Sequence, residues 1–424
     1  MDVAITDISD VEKEISIHAS ATELLPHFDK AYKKHRAKIE LKGFRKGKAP
    51  LDLVKKLHGE AIEYDSLSEI ATDFYRKVIS DRDIHPIGEP VLTDMQYKPG
   101  EDFSFKVHYQ IKPVIVLKEY KKIPLERVKH ILTEKEVEDE ILRIRRANST
   151  TAEVESAPTD DHILTVDIQE IDTAGNPIIG KKSTDVRVYL ADENVLPEIK
   201  NPLRGIGIGA TVKTTLMRTV EDKQEPTHVE IHVKKIEQVN LPALDDDFIK
   251  KITKEKVGTV EEFHKGIRKD IEHYWNERSE RRLLDELTGE IVRRHDITVP
   301  ESMVKGILDS MVEDLKNRYP NKKLPAEFNE NEFREQNRSY AIFQAKWYLI
   351  KERIIEAEGI TATDAEIEQK AKQDAPRVGI DEGRLLQFYK SSDSIKDRIV
   401  SDKLLEFLKN SAMIAERSTE DFNI

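Results

Sequence analysis

The sequence predicts an α+β protein built from several domains, and three observations support that prediction. The chain has 424 residues, which is more than one hydrophobic core usually supports. Charged residues make up 35% of it and aromatic residues only 6%, a composition that favours extended architecture over one compact globule. The apolar periodicity also changes along the chain, from mixed to alternating to helical. We therefore expect an N-terminal α+β domain, a β-rich domain and an all-α C-terminal domain.

The first predicted domain covers residues 1–112 and begins with a strand followed by a helix. Residues Ile15–Ala19 alternate apolar and polar side chains, which is the period of a half-buried strand. Ser20 and Glu23 have the spacing of a capping box, in which a hydroxyl and a carboxylate satisfy amides at the start of a helix. Apolar residues at helical spacing predict that this helix continues to about Ile39.

Two further helices and a strand are predicted in the rest of this domain. A short helix is expected over Leu51–Leu57, ending near Gly59, because glycine weakens helices. A longer helix is expected over Ala61–Ser80, where apolar side chains recur at helical spacing. The alternation of Phe103–Ile111 predicts a strand that completes the domain.

A connecting arm is predicted over residues 113–149. Thr133 and Glu136 form a second capping-box pattern ahead of a largely polar helix that ends near Asn148. Only one narrow side of this helix is apolar, and a helix of that kind can bridge two domains.

The β-rich domain is predicted over residues 150–240. Short runs alternate apolar and polar residues, and glycines between them are typical of turns. The four predicted strands are Ile163–Ile168, Asp185–Leu190, Thr211–Met217 and Val229–Val233.

Residues 241–424 have helical periodicity up to the C-terminus, which predicts an all-α domain. Thr363 and Glu366 have the spacing of a third capping box, so one of its helices is expected to begin there. Two other helices carry apolar stripes that include Met303, Ile307, Met311, Phe343 and Trp347.

Several classes of function find no support in the composition. The chain has no cysteine, so disulfides, thiol nucleophiles and cysteine metal sites are excluded. His228 and His232 could share a strand face, but no third ligand is evident, and no metal site is expected. No Walker loop is present, and we expect no ATP or other cofactor. The chain begins without a signal-peptide pattern and contains no bilayer-spanning apolar run, which predicts a cytoplasmic protein without a membrane partner.

One basic segment stands out in an acidic chain. The formal net charge is −12, yet residues 33–56 contain ten Lys and Arg residues against Glu40 and Asp52, a local net charge of +8. The distribution of charge decides which partners a surface attracts, so this segment is the first indication of a polyanionic partner.

The loop from Gly43 to Pro50 lies at the centre of that segment. Its glycines permit backbone conformations that are closed to other residues, and Pro50 fixes the backbone where the next helix begins. Arginine offers a planar fork for phosphate and lysine a point charge, so a loop of this composition suits contact with a phosphate-rich surface while one ring inserts. The residues concerned are Gly43, Phe44, Arg45, Lys46, Gly47, Lys48, Ala49 and Pro50.

This loop resembles the ribosome-binding signature of the bacterial trigger factor family. The resemblance extends over the chain, because residues 86–90, 100–103 and 241–248 are similar to family segments in the same order. It implies an N-terminal ribosome-binding domain, an FKBP-like domain over residues 150–240 and a helical chaperone domain that binds unfolded chains without ATP. The motif is specific because its residues and its helix-flanked context coincide.

The resemblance also implies partners and site residues. Gly43, Phe44, Arg45, Lys46, Gly47, Lys48 and Pro50 are expected to bind protein and RNA near the tunnel exit of the large ribosomal subunit. Nascent polypeptides are the expected clients, and a weak homodimer off the ribosome is implied. Flexible methionines suit varied partners, and the expected client-binding residues are Met303, Ile307, Met311, Phe343 and Trp347.

The family's FKBP-like domain is a peptidyl-prolyl isomerase, but the residues here argue against strong activity. Such a pocket surrounds the proline ring with aromatic side chains in a dry site. Residues 151–240 contain one aromatic residue, Tyr189, and Ile168 stands where the family has an aromatic residue. We expect a retained fold with weak or absent isomerase activity.

Two alternative functions stay open at this point. The chain could be an active prolyl isomerase whose chaperone role is secondary. It could also be an RNA-binding factor in ribosome assembly that uses the basic segment alone, in which case its affinity for free RNA would depend steeply on salt.

Overall fold

A computed structural model of the chain describes residues 1–41, 44–220 and 223–420. The predicted fold class is confirmed, with an N-terminal α+β part, a central β-rich region and a helical C-terminal part. The chain forms two compact units. The first unit contains Met1–Glu126 and Arg281–Ala415, and the second contains Arg127–Glu280 together with the residues from Glu416 onward.

The elements follow one another in a fixed order along the chain. The first half contains β1 (Asp2–Asp7), β2 (Glu12–Ala19), α1 (Ala21–Arg36), α2 (Leu51–Asp81), β3 (Ile87–Tyr97), β4 (Phe103–Gln110), β5 (Pro124–His130), α3 (Glu134–Ala147), β6 (Thr150–Glu153), β7 (His162–Ile171) and β8 (Pro177–Tyr189). The second half contains α4 (Pro197–Leu203), β9 (Thr211–Val220), β10 (Lys223–Asn240), α5 (Asp246–Thr253), α6 (Val260–Arg294), α7 (Glu301–Asn317), α8 (Glu330–Glu358), α9 (Asp364–Val378), α10 (Glu382–Ser391), α11 (Asp393–Ser411) and β11 (Met413–Thr419).

The N-terminal part of the first unit is an antiparallel sheet covered by two helices. Its strand order is β1-β2-β4-β3, and Ile15 and Ile17 on β2 pair with Val107 and Phe105 on β4. Those four side chains are buried in one cluster with residues from α1 and α2. The alternation along β2 and β4 therefore places one sheet face against the helices, as the sequence predicts.

The prediction of two helices between Leu51 and Ser80 is wrong, because α2 is continuous. Gly59 is buried in its middle, and a Cβ at that position would lie 3.7 Å from the hydroxyl oxygen of Tyr32 on α1. That distance is an ordinary van der Waals contact, so the Tyr32 side chain packs directly over the helix at Gly59. This tertiary packing outweighs the modest cost of glycine inside a helix.

The helical part of the first unit is built from the C-terminal end of α6 and from α7 to α11. Its main core joins buried residues of α6, α8 and α11 with Ile123 and Leu125, which lie at the start of β5. A second cluster joins α9, α10 and α11. The predicted capping box at Thr363 is confirmed, since its hydroxyl accepts from the amide of Glu366 while the Glu366 carboxylate accepts from the amide of Thr363.

The prediction that the chain is helical to its end is wrong, because β11 follows α11. This strand forms a two-stranded sheet with β5. The amide of Met413 donates to the carbonyl of Ile123 at 2.9 Å, and the amide of Lys122 donates to that of Ser411 at 2.7 Å. The pairing joins residues about three hundred positions apart, so local periodicity could not indicate it.

The second unit contains the β-rich region together with α3 and α5. Its sheet has the order β6-β10-β7-β8, and β9 pairs with β10. The four predicted strands of this region are confirmed within β7, β8, β9 and β10, whereas the short strand β6 and helix α4 were not predicted. The capping box of α3, from Thr133 to Glu136, is also present, and the helix ends at Asn148 as predicted. No helix among residues 1–41, 44–220 and 223–420 is long and apolar enough to cross a membrane.

Candidate functional site: a basic loop and a groove between two helices

The basic loop is held in place by apolar side chains on both of its sides. Ala49 is buried in the N-terminal core, and Ile39, Leu41 and Leu51 pack against the same cluster. The amide of Gly47 donates to the carbonyl of Ile39 at 3.4 Å. Described residues that precede the loop and residues at its C-terminal end thus pack on the core.

Short-range hydrogen bonds are present along the described part of the loop, and one of them closes a turn from Arg45 to Lys48. The amide of Phe44 donates to the carbonyl of Leu41 at 3.0 Å, and the amide of Lys48 donates to that of Arg45 at 2.9 Å. Gly47 has a φ of +76°, a conformation that side chains disfavour. The turn from Arg45 to Lys48 leaves its charged side chains at the surface.

The loop side chains that the sequence singles out are exposed. Phe44 has 41% of its surface accessible, and Arg45, Lys46, Lys48 and Pro50 are also exposed, whereas Gly47 is half-buried. Gly43 lies outside the described residues. The loop therefore presents a partly accessible phenyl ring beside three exposed cations.

Lys42 lies outside the described residues, and ion pairing divides the other nine cations of the wider basic segment into two groups. Lys34 pairs with Glu69 and Lys55 with Asp29, each at 2.6 Å, and the Lys55 ammonium holds the pKa of the Asp29 carboxyl below its usual value. Those two lysines stabilise the packing of α1 on α2. The cations of the second group form no ion pair with any described residue. They are Arg45, Lys46 and Lys48 of the loop together with Lys33, Arg36, Lys38 and Lys56.

A second candidate site lies between α7 and α8 in the first unit. On α7, Val304 and Leu308 are buried against Ala341 and Ala345 on α8. Because alanine side chains are small, they allow the two helices to approach closely. The neighbouring stripe of α7 therefore lies at the margin of this contact. Its residues, Met303, Ile307 and Met311, are four positions apart and remain half-buried.

That margin forms a groove with a volume of about 630 Å³. Four of the five predicted client-binding residues contribute to it, and aromatic rings form its other wall. Its lining contains Met303, Gly306, Ile307, Ser310, Met311, Tyr340, Gln344, Trp347, Tyr348 and Lys351. The groove is mainly apolar with few polar groups, which is the usual composition of a site that binds apolar ligands.

The fifth predicted residue, Phe343, lies elsewhere. Its side chain packs against the core that joins α6, α8 and α11. Sequence reasoning missed Tyr340 and Tyr348, which line the groove and are exposed. Their spacing from Gln344 is four residues on each side, so helical periodicity would have found them had exposed aromatics been counted with the apolar stripe.

The β-rich region has an aliphatic interior. Its described core contains only Ala, Val, Leu and Ile side chains, and Ile168 and Ile199 pack against it. Tyr189 is half-buried, and the guanidinium carbon of Arg146 lies 5.5 Å from the centre of its ring. One face of the single aromatic ring is therefore covered by a cation from the same unit.

The two histidines considered as metal ligands each face a threonine on the neighbouring strand. His228 lies 2.8 Å from the hydroxyl of Thr215 and His232 lies 3.1 Å from that of Thr211. Across the described part of the chain, no group of three or more His, Asp or Glu side chains is arranged to hold a metal ion.

The fold and the two sites define a class of multidomain protein with a basic α+β domain and an apolar helical groove. Family models agree with this description. The model for "Bacterial trigger factor protein (TF)" matches residues 1–144, and the model for its C-terminus matches residues 259–410.

Similar proteins extend the match to the whole chain. A trigger factor of Salinibacter ruber is 30% identical, and the alignment covers 100% of this chain and 96% of that protein. A trigger factor of Chlorobium phaeobacteroides is 29% identical over 98% and 97% of the two chains. The chain belongs to the bacterial trigger factor family.

A solved structure shares the fold. It is described as "Promiscuous Substrate Recognition in Folding and Assembly Activities of the Trigger Factor Chaperone". The match has a TM-score of 0.50 at 19% identity and covers 97% of this chain and 99% of that one. At this identity the likeness concerns the fold alone.

Proposed function

We propose that this protein is an ATP-independent chaperone that docks on the large ribosomal subunit and binds nascent polypeptides at the tunnel exit, delaying their misfolding. The single observation that carries the proposal is the exposed Phe44 ring among Arg45, Lys46 and Lys48 on a loop flanked by residues that pack on the core. Membership of the trigger factor family supports a ribosome-associated chaperone role. The site residues proposed for docking are Gly43, Phe44, Arg45, Lys46, Gly47, Lys48 and Pro50.

Charge and apolar contact have separate roles in this docking. The cations attract phosphate over a distance and provide charge-assisted hydrogen bonds on contact. This attraction weakens as salt is added. The phenyl ring contributes the salt-independent part by entering an apolar site on ribosomal protein or RNA. Docking should thus weaken with salt without vanishing.

Client binding is assigned to the groove between α7 and α8. Its methionines adapt to different side chains because the thioether is unbranched and flexible, and its volume of about 630 Å³ can hold several apolar side chains. The residues proposed are Met303, Ile307, Met311 and Trp347. Phe343 would act through the core that supports α8.

An aggregation assay with and without ribosomes tests this function. A denatured test protein is diluted into buffer, and light scattering is followed as the chaperone concentration rises. The account expects suppression by the chaperone alone, and protection of a nascent chain only when the chaperone can dock. An RNA-binding assembly factor would bind free RNA and leave scattering unchanged.

Prolyl isomerase activity is proposed to be weak or absent. The aliphatic core and the Arg146 guanidinium beside Tyr189 support this, since no second described aromatic ring is available to surround a proline. We further propose a cytoplasmic location, a weak homodimer off the ribosome, and the domain boundaries at residues 112, 149 and 240.

A further inference from the structure

Residues 112–118, here named the edge segment, form an extended stretch without a strand partner. Their exposure alternates strictly, since Pro113, Ile115 and Leu117 are half-buried while the residues between them are exposed. That period of two is the period of a β-strand on a protein surface. Val114 and Val116 have 93% and 78% of their surface accessible, so their backbone groups are open as well as their side chains.

The edge segment is fixed at both ends. The amide of Ile111 donates to the carbonyl of Val11 at 2.9 Å, and the amide of Lys118 donates to Nε2 of His295 at 2.8 Å. His295 is buried and its Nδ1 donates to the carbonyl of Ile291 at 2.7 Å. Leu117 packs against the main helical core. Because a segment held in this way is already ordered, it loses little further conformational entropy when a partner binds.

Between these anchors the backbone forms no hydrogen bond with any described residue at Val114, Ile115, Val116 or Leu117. In an extended chain the N–H and C=O groups of alternate residues point to the same edge. The open groups of Val114 and Val116 therefore lie on one edge. An exposed, β-prone apolar edge is costly to a protein unless something pairs with it.

The edge segment also borders the client groove. Pro113 and Ile115 line a second cavity, of about 760 Å³, whose wall on α8 includes Tyr348 and Lys351. Tyr348 and Lys351 also line the groove between α7 and α8. Lys112 and Lys351 lie over the Tyr348 ring, with each ammonium nitrogen within 6 Å of its centre. The two cavities therefore adjoin each other at Tyr348 and Lys351.

We propose that the edge segment binds an extended stretch of unfolded polypeptide by β-strand addition, an inference that rests on the proposed client binding. Backbone groups recognise a peptide independently of its sequence, and alternate side chains add preference. The client would run from the α7–α8 groove across Tyr348 and pair with Val114 and Val116. Lys118 is exposed at the end of the edge segment, and its ammonium favours a client with a carboxylate at that end of the strand.

The test uses the full-length protein and a fluorescein-labelled nine-residue peptide with valine at alternate positions and glutamate at both ends. Binding is followed by fluorescence anisotropy. A Val114→Pro, Val116→Pro variant removes two amide donors, and its matched control, Val114→Thr, Val116→Thr, keeps them with similar shape. Because both valines are exposed, neither variant should alter thermal unfolding. We expect the proline variant to bind about tenfold or more weakly and the threonine variant less than threefold more weakly.

A second peptide, N-methylated at alternate amides, blocks one hydrogen-bonding edge. It should bind wild type about as weakly as the proline variant binds the unmodified peptide. Equal affinity of the proline variant and wild type would overturn the proposal. So would a change in self-association, measured by sedimentation velocity, with peptide affinity unchanged, because the partner would then be a second copy of this chain.

Failure of this inference can be told from failure of the proposed function. If Met311→Gln weakens suppression of aggregation while the proline variant binds peptide normally, client binding stands and strand addition is wrong. If wild type binds the peptide through the edge segment but never suppresses aggregation, the chaperone function is wrong and strand addition stands.

Discussion

A Cβ atom placed on Gly47 would lie 3.3 Å from the carbonyl oxygen of Ala37. Gly47 has a φ of +76°, so two constraints act on this position at once. One is the backbone conformation, which disfavours any side chain. The other is the close approach of the residue that follows α1. Together they couple the shape of the basic loop to the end of the preceding helix.

Replacing Gly47 with alanine should therefore weaken ribosome docking severalfold, because the loop must move away from Ala37. Gly100 is a matched control, since its φ is +81° but nothing lies within 4 Å of an added Cβ. Each substitution should cost about 1–2 kcal/mol of backbone strain, but only Gly47→Ala should raise the dissociation constant for ribosomes. Equal dissociation constants for the two variants in a binding titration would show that the shape of the loop does not matter.

The apolar groove gives a second prediction, for Met311→Gln. Glutamine has a similar length and helix propensity, so α7 should persist while the groove loses an apolar contact worth about 1 kcal/mol. We expect about fivefold more chaperone to be needed for half-suppression of aggregation. Met95→Gln, at an exposed methionine on β3, is the control and should behave as wild type. A comparable loss in both variants would place client binding outside the groove.

The start of α9 gives a prediction about pH. An ion pair with Lys403 at 2.7 Å and the amide of Thr363 lower the pKa of Glu366 to about 2 from the usual value of 4.5. A pKa lowered by folding means that the stabilisation is present above about pH 4.5 and is lost as the pH falls towards 2. Both side chains of the pair are about one-third accessible to solvent, and this accessibility limits its contribution.

Glu366→Gln should accordingly lower the free energy of unfolding at pH 7 by about 1 kcal/mol, and with it the midpoint temperature of unfolding. The difference in midpoint temperature between wild type and Glu366→Gln should disappear as the pH approaches 2. Thr363→Ser keeps the capping hydroxyl and should retain the wild-type pH dependence. Thermal unfolding monitored by circular dichroism measures each midpoint, and a gap that stays constant from pH 7 to pH 2 would contradict the assigned ion pair.

The aliphatic interior of the β-rich region predicts little prolyl isomerase turnover. A proline ring needs apolar surfaces on several sides to leave water while its amide twists. Here the only aromatic residue in 151–240 has a guanidinium over its ring. A tetrapeptide assay should give a rate close to the uncatalysed one, and Tyr189→Leu should leave it unchanged. Turnover that falls in the Tyr189→Leu variant would mean that this ring lines a working pocket.

Features with a local cause were predictable from sequence. The capping boxes at Ser20, Thr133 and Thr363 depend on residues three positions apart, and all three were found where predicted. The strands β2 and β4 follow from alternation alone. The basic loop was recognisable because its glycines, phenylalanine and cations are contiguous.

Features with a distant cause were not predictable. In the middle of the continuous helix α2, Gly59 is buried beneath Tyr32 of α1, and β11 pairs with β5, a strand far away in the sequence. The groove exists because Ala341 and Ala345 let α7 approach α8. The apolar stripe that contains Phe343 gave no sign that its ring would turn to the opposite core.

Co-sedimentation with ribosomes tests the central claim, docking through the basic loop, most directly. The variant Phe44→Ala, Arg45→Ala, Lys46→Ala is compared with Arg384→Ala, Phe388→Ala, Lys390→Ala, which removes the same three residue types from exposed positions of α10. The account predicts that the loop variant stays in the supernatant with an unchanged circular dichroism spectrum, while the α10 variant sediments with ribosomes as wild type does. Sedimentation of the loop variant at the wild-type level would contradict the account.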